Sequence, residues 1–524
     1  MPIVTVDPGS ALPLYEQVYE AIREQTVAGR LQPGARLAST RTLAADLGLS
    51  RFTIVAAMDR LIGEGYLVTK RGAGTFVVDT LPERAMRAAK TRRPPPTVAA
   101  GGPAPGLSRR GGALASVVIT GPRYERDEPR PFRPRRPALD VFPSALWARL
   151  LRRQWRTPRH ELLDYGDPAG YRPLREAIAA HISVTRGLRC SADRIVVTSG
   201  AQQAFDILFR LVLDPGDAAW MEEPGYLDVR GALIGAGARI VPVAVDAQGL
   251  VVADGVRLAR DAKLAVVSPS HQYPTGVTLS ATRRAALVEW ARVRGAWIVE
   301  DDYDSYFRYR GRPVPALHRF DEDAGGASPR VLYVGTFSKT MFPSLRLGFC
   351  VVPEALVGAV VNLRAIADRN SPISDQAALA EFIEDGHYDR HLRRVRLVYQ
   401  ERYEAMRHYF RRELDGIIAL VPASAGTHVI GHVGDRRSGG GESFAVRIAR
   451  AAAADGLVVF PLSRYCQVRP ATDALVLGYG GLTPRRIAAG VERLARVIDG
   501  VRGRRRTEGQ QAAVTAAARR GRLR

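Results

Sequence analysis

Only four lysines, at positions 70, 90, 263 and 339, stand against 72 arginines. Wherever a positive charge alone suffices, this chain uses Arg, so the lysine in Gly335-Thr336-Phe337-Ser338-Lys339-Thr340, directly after the apolar run 332–334, calls for a chemical reason. A primary amine condenses with an aldehyde to a Schiff base, which a guanidinium does not usefully do. A surface lysine in a loop is the plainer reading, and the surrounding residues weigh against it. Asp301 follows the run 297–300 and places a carboxylate at the C-terminal edge of a strand, where ligands of open α/β sheets sit. Such an acid keeps a pyridine nitrogen protonated and makes the ring an electron sink. Tyr303 is near enough in sequence to hydrogen-bond a phenolic oxygen, and Tyr226 could stack on a ring. Ser199, Gly200, Ala201 and Gln202, between a strand and a helix, offer backbone N–H groups and a positive helix end to a phosphate. Arg346, seven residues after Lys339, adds a charged clamp. Singly these are a solvated acid, a core tyrosine and a generic turn; together, each stands at a strand end.

A second constellation lies near the N-terminus. Ser50 is placed to cap a helix whose first turn, Arg51 and Thr53, would enter a major groove, with Arg51 reaching guanine edges or phosphate. Arg41 suits a backbone phosphate, and Arg71, Gly72 and Gly74 would form a wing that approaches DNA closely. A helical dimerisation module with ordinary surface arginines is the alternative. The order of helix, turn, helix and glycine wing favours DNA.

The elements that must position these residues follow from periodicity. Leu14, Val18, Ala21 and Ile22 fit one helix face, 40–47 a second helix, and Val55, Met58, Leu61 and Ile62 the inner face of a third, with short strands at 66–69 and 75–78. Residues 138–501 alternate apolar strands (195–198, 219–221, 264–268, 297–299, 332–334) with helical stretches, which predicts a mostly parallel sheet covered by helices. Between 81 and 137 the chain is rich in Pro, Gly, Ala and Arg and reads as a flexible linker, and 502–524 reads as an unstructured basic tail. The domains are thus 1–80, a winged helix-turn-helix, and 138–501, an α/β domain.

The formal charge of +23 sits mostly in those connecting segments, because 81–137 carries 13 Arg/Lys against 4 Asp/Glu and 501–524 carries 8 against 1. The first eighty residues hold 8 of each sign, so DNA binding there must rest on placement rather than net charge. Cys190, Cys350 and Cys466 are too few and too scattered for a disulfide framework or a cysteine zinc site, and no metal is expected. No apolar run spans a membrane and no signal pattern opens the chain, so the cytoplasm is the expected address.

The stretches Pro13-Leu14-Tyr15, Gly29 to Gly34, Ser39 to Ala44, Leu49-Ser50-Arg51 and Gly65-Tyr66-Leu67 through Val77 resemble the winged-helix domain of the GntR family, with Ala38 where that family usually has Pro. The stretches Tyr165 to Gly170, Pro274-Thr275-Gly276 and Ser338 through Gly348 resemble fold-type I pyridoxal-phosphate enzymes of the class I aminotransferase family, a likeness running from about 139 to 501. Together they resemble the MocR/GabR subfamily of regulators. The resemblance implies pyridoxal 5'-phosphate as cofactor, Lys339 as the Schiff-base residue, Asp301 and Tyr303 on the ring, and Thr336, Ser338 and Arg346 near the phosphate. It also implies a homodimer that binds operator DNA and senses the cofactor, or an amine or amino acid that condenses with it. Two departures stand out: Tyr273 occupies the slot where aminotransferases commonly carry the Asn before Pro-Thr-Gly, and 474–479 lacks the Arg that holds a substrate carboxylate. Arg464 is the candidate substitute. The alternative is a working aminotransferase that carries a DNA-binding head.

Overall fold

Helix ends in the N-terminal segment are written by three small residues. The hydroxyl of Ser39 accepts the Thr42 N–H (3.1 Å) and opens α2 (Thr40–Leu47); Gly48, at φ +63°, closes it; Ser50 accepts the Thr53 N–H (3.1 Å) and opens α3 (Arg51–Gly63). The computed structural model describes residues 4–10, 12–70, 72–81, 107–117, 130–156, 160–311, 313–323, 329–434, 442–468 and 472–520. They form two compact units, Met1–Gly106 and Leu107–Arg524.

In the first unit, α1 (Leu14–Val27) buries Val18, Tyr19 and Ile22 against Leu43 of α2 and Ile54, Ala57, Met58 and Leu61 of α3. At roughly 1.5–3 kcal/mol per large apolar side chain, this face holds the helices together. On the inner face of α3, Met58 and Leu61 are buried as expected, but Ile54 and Ala57 complete it while Val55 and Ile62 are only half-buried. The run Ile54 to Met58 is apolar throughout, so periodicity alone cannot fix its phase. The antiparallel hairpin of β1 (Leu67–Lys70) and β2 (Gly74–Val77) completes the unit, pairing Leu67 with Val77. Gly72 (φ +75°) and Gly74 (φ +112°) turn it, and a Cβ at Gly74 would lie 3.0 Å from Arg36 Nε.

The second unit is built on β3 (Ile195–Thr198), β4 (Ala218–Glu223), β5 (Arg239–Asp246), β6 (Gly249–Leu250), β7 (Leu264–Val267), β8 (Trp297–Asp302), β9 (Val331–Thr336) and β10 (Gly348–Val351), in the order β3-β10-β9-β8-β7-β4-β5-β6. From β9 to β5 every pair is parallel, whereas β10 is antiparallel to both its neighbours and β6 to β5. Since β3 and β9 both oppose β10, they run the same way. The C-terminal ends of β3, β4, β7, β8 and β9 therefore lie along one edge, and the residues read as chemical follow those ends. A smaller antiparallel sheet, β11 (Ile418–Leu420), β12 (His428–Val433), β14 (Ala474–Gly478) and β13 (Phe460–Pro461), lies beyond the long helix His387–Leu414 in the chain.

Two expectations about connecting segments are corrected. Residues 109–115 of the expected linker form a helix capped by Ser108, and 130–137 is packed structure: Phe132 is fully buried, and the Phe132 and Pro131 carbonyls accept the N–H groups of Gly478 (2.8 Å) and Val458 (2.9 Å). One aromatic side chain in a Pro/Arg-rich run is enough to anchor it once a sheet edge offers partners. The expected tail is helical as far as Arg520, in the helix Pro484–Arg520, because Ala-, Gln- and Arg-rich sequence sustains a helix begun by the buried Ile487, Val491, Leu494 and Ile498. Among the described residues no helix is long and apolar enough to cross a membrane.

Candidate functional site

The strand ends enclose a cavity of about 300 Å³ lined by Arg135, Ala201, Gln202, Tyr226, Asp228, Tyr273, Asp301, Tyr303, Thr336, Ser338, Lys339, Pro343 and Arg346. Ten of these thirteen were singled out from the sequence; Arg135, Asp228 and Pro343 were not. Lys339 follows β9 and donates from Nζ to the main-chain carbonyl of Arg135 (2.8 Å). Burial of the amine, reinforced by the Arg135 charge, brings its pKa down to about 7 from the ordinary 10.5. Asp301, near the end of β8, is moved the other way: burial first, then Asp302 and Asp304, push its carboxyl up to about 8. A protonated ring nitrogen is the partner such an acid lacks.

The phosphate end forms around Gly200. The helix Ala201–Val212 begins there, and Arg346 Nη2 donates to the Ser199 carbonyl (2.8 Å) from a backbone at φ +51°. Ala201 and Gln202 line the cavity, while Ser199 and Gly200 lie behind the Arg346 guanidinium. The Ser338 N–H donates to Thr336 Oγ1 (3.2 Å), folding that turn around the same end. Gln202 donates from Nε2 to the Asp228 carbonyl (3.0 Å), which fixes its side chain beside the cavity. Helix end, Arg346, acid, amine and aromatic walls together fit a phosphorylated pyridine aldehyde.

Around the ring position, the Tyr303 hydroxyl meets His271 Nδ1 (3.0 Å), which also bonds Asp304 Oδ2 (2.8 Å), and burial raises the Tyr303 pKa. Tyr273 donates to Tyr465 Oη (3.0 Å). Arg464 does not line the cavity: its guanidinium lies 4.8 Å over the Phe460 ring, and its neighbour Tyr465 is the residue that reaches Tyr273. The 3-10 turn Leu462–Tyr465 turns alternate side chains apart, which sequence spacing could not foretell. Arg135 and Asp228 were missed for different reasons. Arg135 was hidden in an arginine-rich run, whereas Asp228, two residues after Tyr226, carried the signal of an acid in the first turn of the helix Leu227–Ala236.

In the N-terminal unit, Arg41, Ser50 and Arg51 are exposed and Thr53 half-exposed, with Ser50 and Thr53 tied to each other through the cap. Arg60 is paired with Glu16 (3.2 Å) and Glu64 (2.9 Å), and Arg23 lies near Glu20 (3.6 Å). Arg41 and Arg51 enter no ion pair among the described residues, whereas Glu16, Glu20 and Glu64 face Arg60 and Arg23. Gly72 and Gly74 form the hairpin tip; Arg71 lies outside the described residues.

Residues 143–439 match the model for aminotransferase class I and II, and residues 14–77 that for bacterial regulatory proteins of the gntR family. The chain is 37% identical over 496 residues, 94% of its length and 95% of the relative's, to the probable rhizopine catabolism regulatory protein MocR of Rhizobium meliloti. It is 31% identical over 402 residues, 76% of its length and 79% of the relative's, to the HTH-type pyridoxine biosynthesis transcriptional regulator PdxR of Corynebacterium glutamicum. Among solved structures it is similar to the alpha-aminoadipate aminotransferase LysN of Thermus thermophilus, complexed with N-(5'-phosphopyridoxyl)-L-leucine, at a TM-score of 0.64 and 26% identity over 76% of this chain and 96% of that one.

Proposed function

The chain belongs to the MocR-type regulators, which join a GntR-family head to a domain of the aminotransferase class I and II family, and on that premise we propose that its DNA affinity follows what binds beside Lys339. The head, residues 1–80, binds operator DNA, and residues 138–501 bind pyridoxal phosphate. Two identical chains act together in the cytoplasm, so that paired heads read half-sites a whole number of helical turns apart.

When bound, pyridoxal phosphate supplies an aldehyde carbon that condenses with primary amines. Lys339 offers an amine whose low pKa leaves a large neutral fraction near pH 7. Asp301 would hold the ring nitrogen's proton, Tyr303 would bond the ring oxygen, and Tyr226 would lie against the ring. Ala201, Gln202, Ser338, Thr336 and Arg346 would hold the phosphate end, backed by Ser199 and Gly200. In the head, Arg51 and Thr53 face base edges, Ser50 fixes the helix that carries them, and Arg41 meets a phosphate, with the wing of Arg71, Gly72 and Gly74 alongside.

Val476 carries the reading of a sensor rather than an aminotransferase. It stands in the strand where those enzymes hold a substrate carboxylate with Arg, and here it is fully buried among Tyr273, Ile430, Leu462 and Tyr465. Lys339, Asp301 and Arg346 are all present for the cofactor, whereas the enzyme's grip on an amino acid is absent from that strand. The test is to titrate amines and amino acids into the cofactor-loaded protein while following its visible spectrum and its operator affinity. Ligands that change the spectrum should shift the DNA isotherm, and by linkage DNA should shift their affinity by the same factor. Many turnovers of amino donor and keto acid, with DNA binding indifferent throughout, would establish the aminotransferase instead.

A further inference from the structure

Arg135 belongs to a segment that sequence reading treats as linker, yet it reaches into the cofactor cavity. Its guanidinium lies 4.4 Å over the Tyr226 ring, donates to the Tyr226 hydroxyl, and pairs with Asp228 Oδ2 (2.8 Å). Its own carbonyl holds the Lys339 amine at 2.8 Å. The backbone is bent at φ +70°, a left-handed conformation uncommon for a side chain other than glycine and held here by the neighbouring Phe132 anchor.

The cavity is lined by two arginines at separate stations. Arg346 is engaged with the Ser199 carbonyl at the phosphate end, whereas the Arg135 guanidinium is engaged with Tyr226 and Asp228 and is near enough to lower the Lys339 pKa. A guanidinium presents five N–H donors. The contacts of Arg135 use Nη2, with Nη1 only at 3.5 Å from Asp228, and leave Nε for a further acceptor. An amine arriving at Lys339 thus finds, on the same residue that holds the Lys339 amine, a cation with open donors and a displaceable carboxylate partner.

We propose that Arg135 selects the effector, and that the effector is an amine bearing a carboxylate, whose carboxylate takes up the Arg135 guanidinium in competition with Asp228. This rests on the sensor reading above and names the ligand class for it. It also places the recognition contact on the stretch of chain that leads back to the head, so a ligand that moves Arg135 acts on the connection itself.

The experiment uses the full chain loaded with pyridoxal phosphate and matched probes: glycine against methylamine, β-alanine against ethylamine, and 4-aminobutanoate against propylamine. Half-saturation is read from the visible spectrum and operator affinity in parallel. In at least one pair the amino acid should bind tenfold or more tightly than its amine, and Arg135→Gln should erase that gap while Arg135→Lys keeps part of it. Asp228→Asn, which removes the competing carboxylate, should tighten the amino acid several-fold relative to its matched amine. It carries the test should Arg135→Gln fail to load cofactor. Equal response to both members of every pair, a gap that survives in Arg135→Gln, or an amino acid weakened by Asp228→Asn would overturn the assignment of Arg135. Silence to all six probes in both readouts defeats the sensor reading itself, and the proposal with it.

Discussion

Gly200 and Arg346 are fitted to each other: a Cβ on Gly200 would lie 2.9 Å from Arg346 Nη2, the nitrogen that donates to the Ser199 carbonyl. Gly200 also sits at φ +84°, where a side chain is strained whatever the space. Gly200→Ala should therefore push the guanidinium off the phosphate end and weaken pyridoxal phosphate binding about tenfold or more, roughly 1.4 kcal/mol. Absorbance titration of the cofactor-free variant measures it, and an unchanged affinity would remove Arg346 from the phosphate site.

Lys339 titrates near 7, and only its neutral form condenses with an aldehyde. Capture of pyridoxal phosphate by the cofactor-free protein should rise about tenfold per pH unit below 7 and level off above it, where an ordinary lysine would keep rising toward pH 10. The same shift acts on stability. The folded value lies below the unfolded 10.5, so between 7 and 10.5 the unfolded chain binds the extra proton and stability rises with pH; below 7 the burial cost is felt in full. Cofactor-free Lys339→Met should melt above the parent at pH 6 to 7, with the gap narrowing by pH 9. It should also remain colourless with the cofactor added.

Asp301 gives the opposite sign. Its folded pKa of about 8 lies above the ordinary 3.8, so the folded chain holds the extra proton between those values and stability is lost as pH rises through 8. Asp301→Asn removes that loss, and the cofactor-free variant should gain stability over the parent progressively from pH 5 to 8. Its hold on pyridoxal phosphate should weaken and the bound spectrum shift. A variant that is both less stable and unchanged in cofactor binding would refute the role.

The pairing of acids in the head sorts its arginines. Arg51→Ala should cost about 1–3 kcal/mol of operator binding and relax preference at one base pair. Arg41→Ala should weaken all sequences alike and lower the salt slope by about 1. Arg60→Ala should leave affinity within about twofold, since Glu16 and Glu64 already absorb its charge. Gel-shift titrations of the full chain at several salt concentrations separate the three.

Much of this protein was legible along the chain. Lys339, Asp301 and the Ser199 to Gln202 turn each follow an apolar run, and strand ends of a parallel sheet gather on one edge, so local pattern was enough to bring them together. Ser39, Ser50, Gly48 and Gly74 write helix ends and the wing through their own backbones, which neighbours in sequence decide. Periodicity stopped at the phase of α3, because five consecutive apolar residues satisfy more than one face.

Arg135 shows where the sequence ends as a guide. It meets Lys339 across 204 residues and Asp228 across 93, and nothing in a run of Pro and Arg says which guanidinium will be caught. That was settled by Phe132, whose burial and whose carbonyl, accepting the Gly478 N–H, hold the segment beside the cavity. Arg464 and Tyr465 make the same point in reverse, since a single 3-10 turn decides which of two adjacent side chains reaches Tyr273. Residue type and spacing determine what chemistry each element can offer, because those preferences are local. Which polar groups from distant segments share one cavity is decided by packing, where a few anchoring side chains fix the path of everything between them.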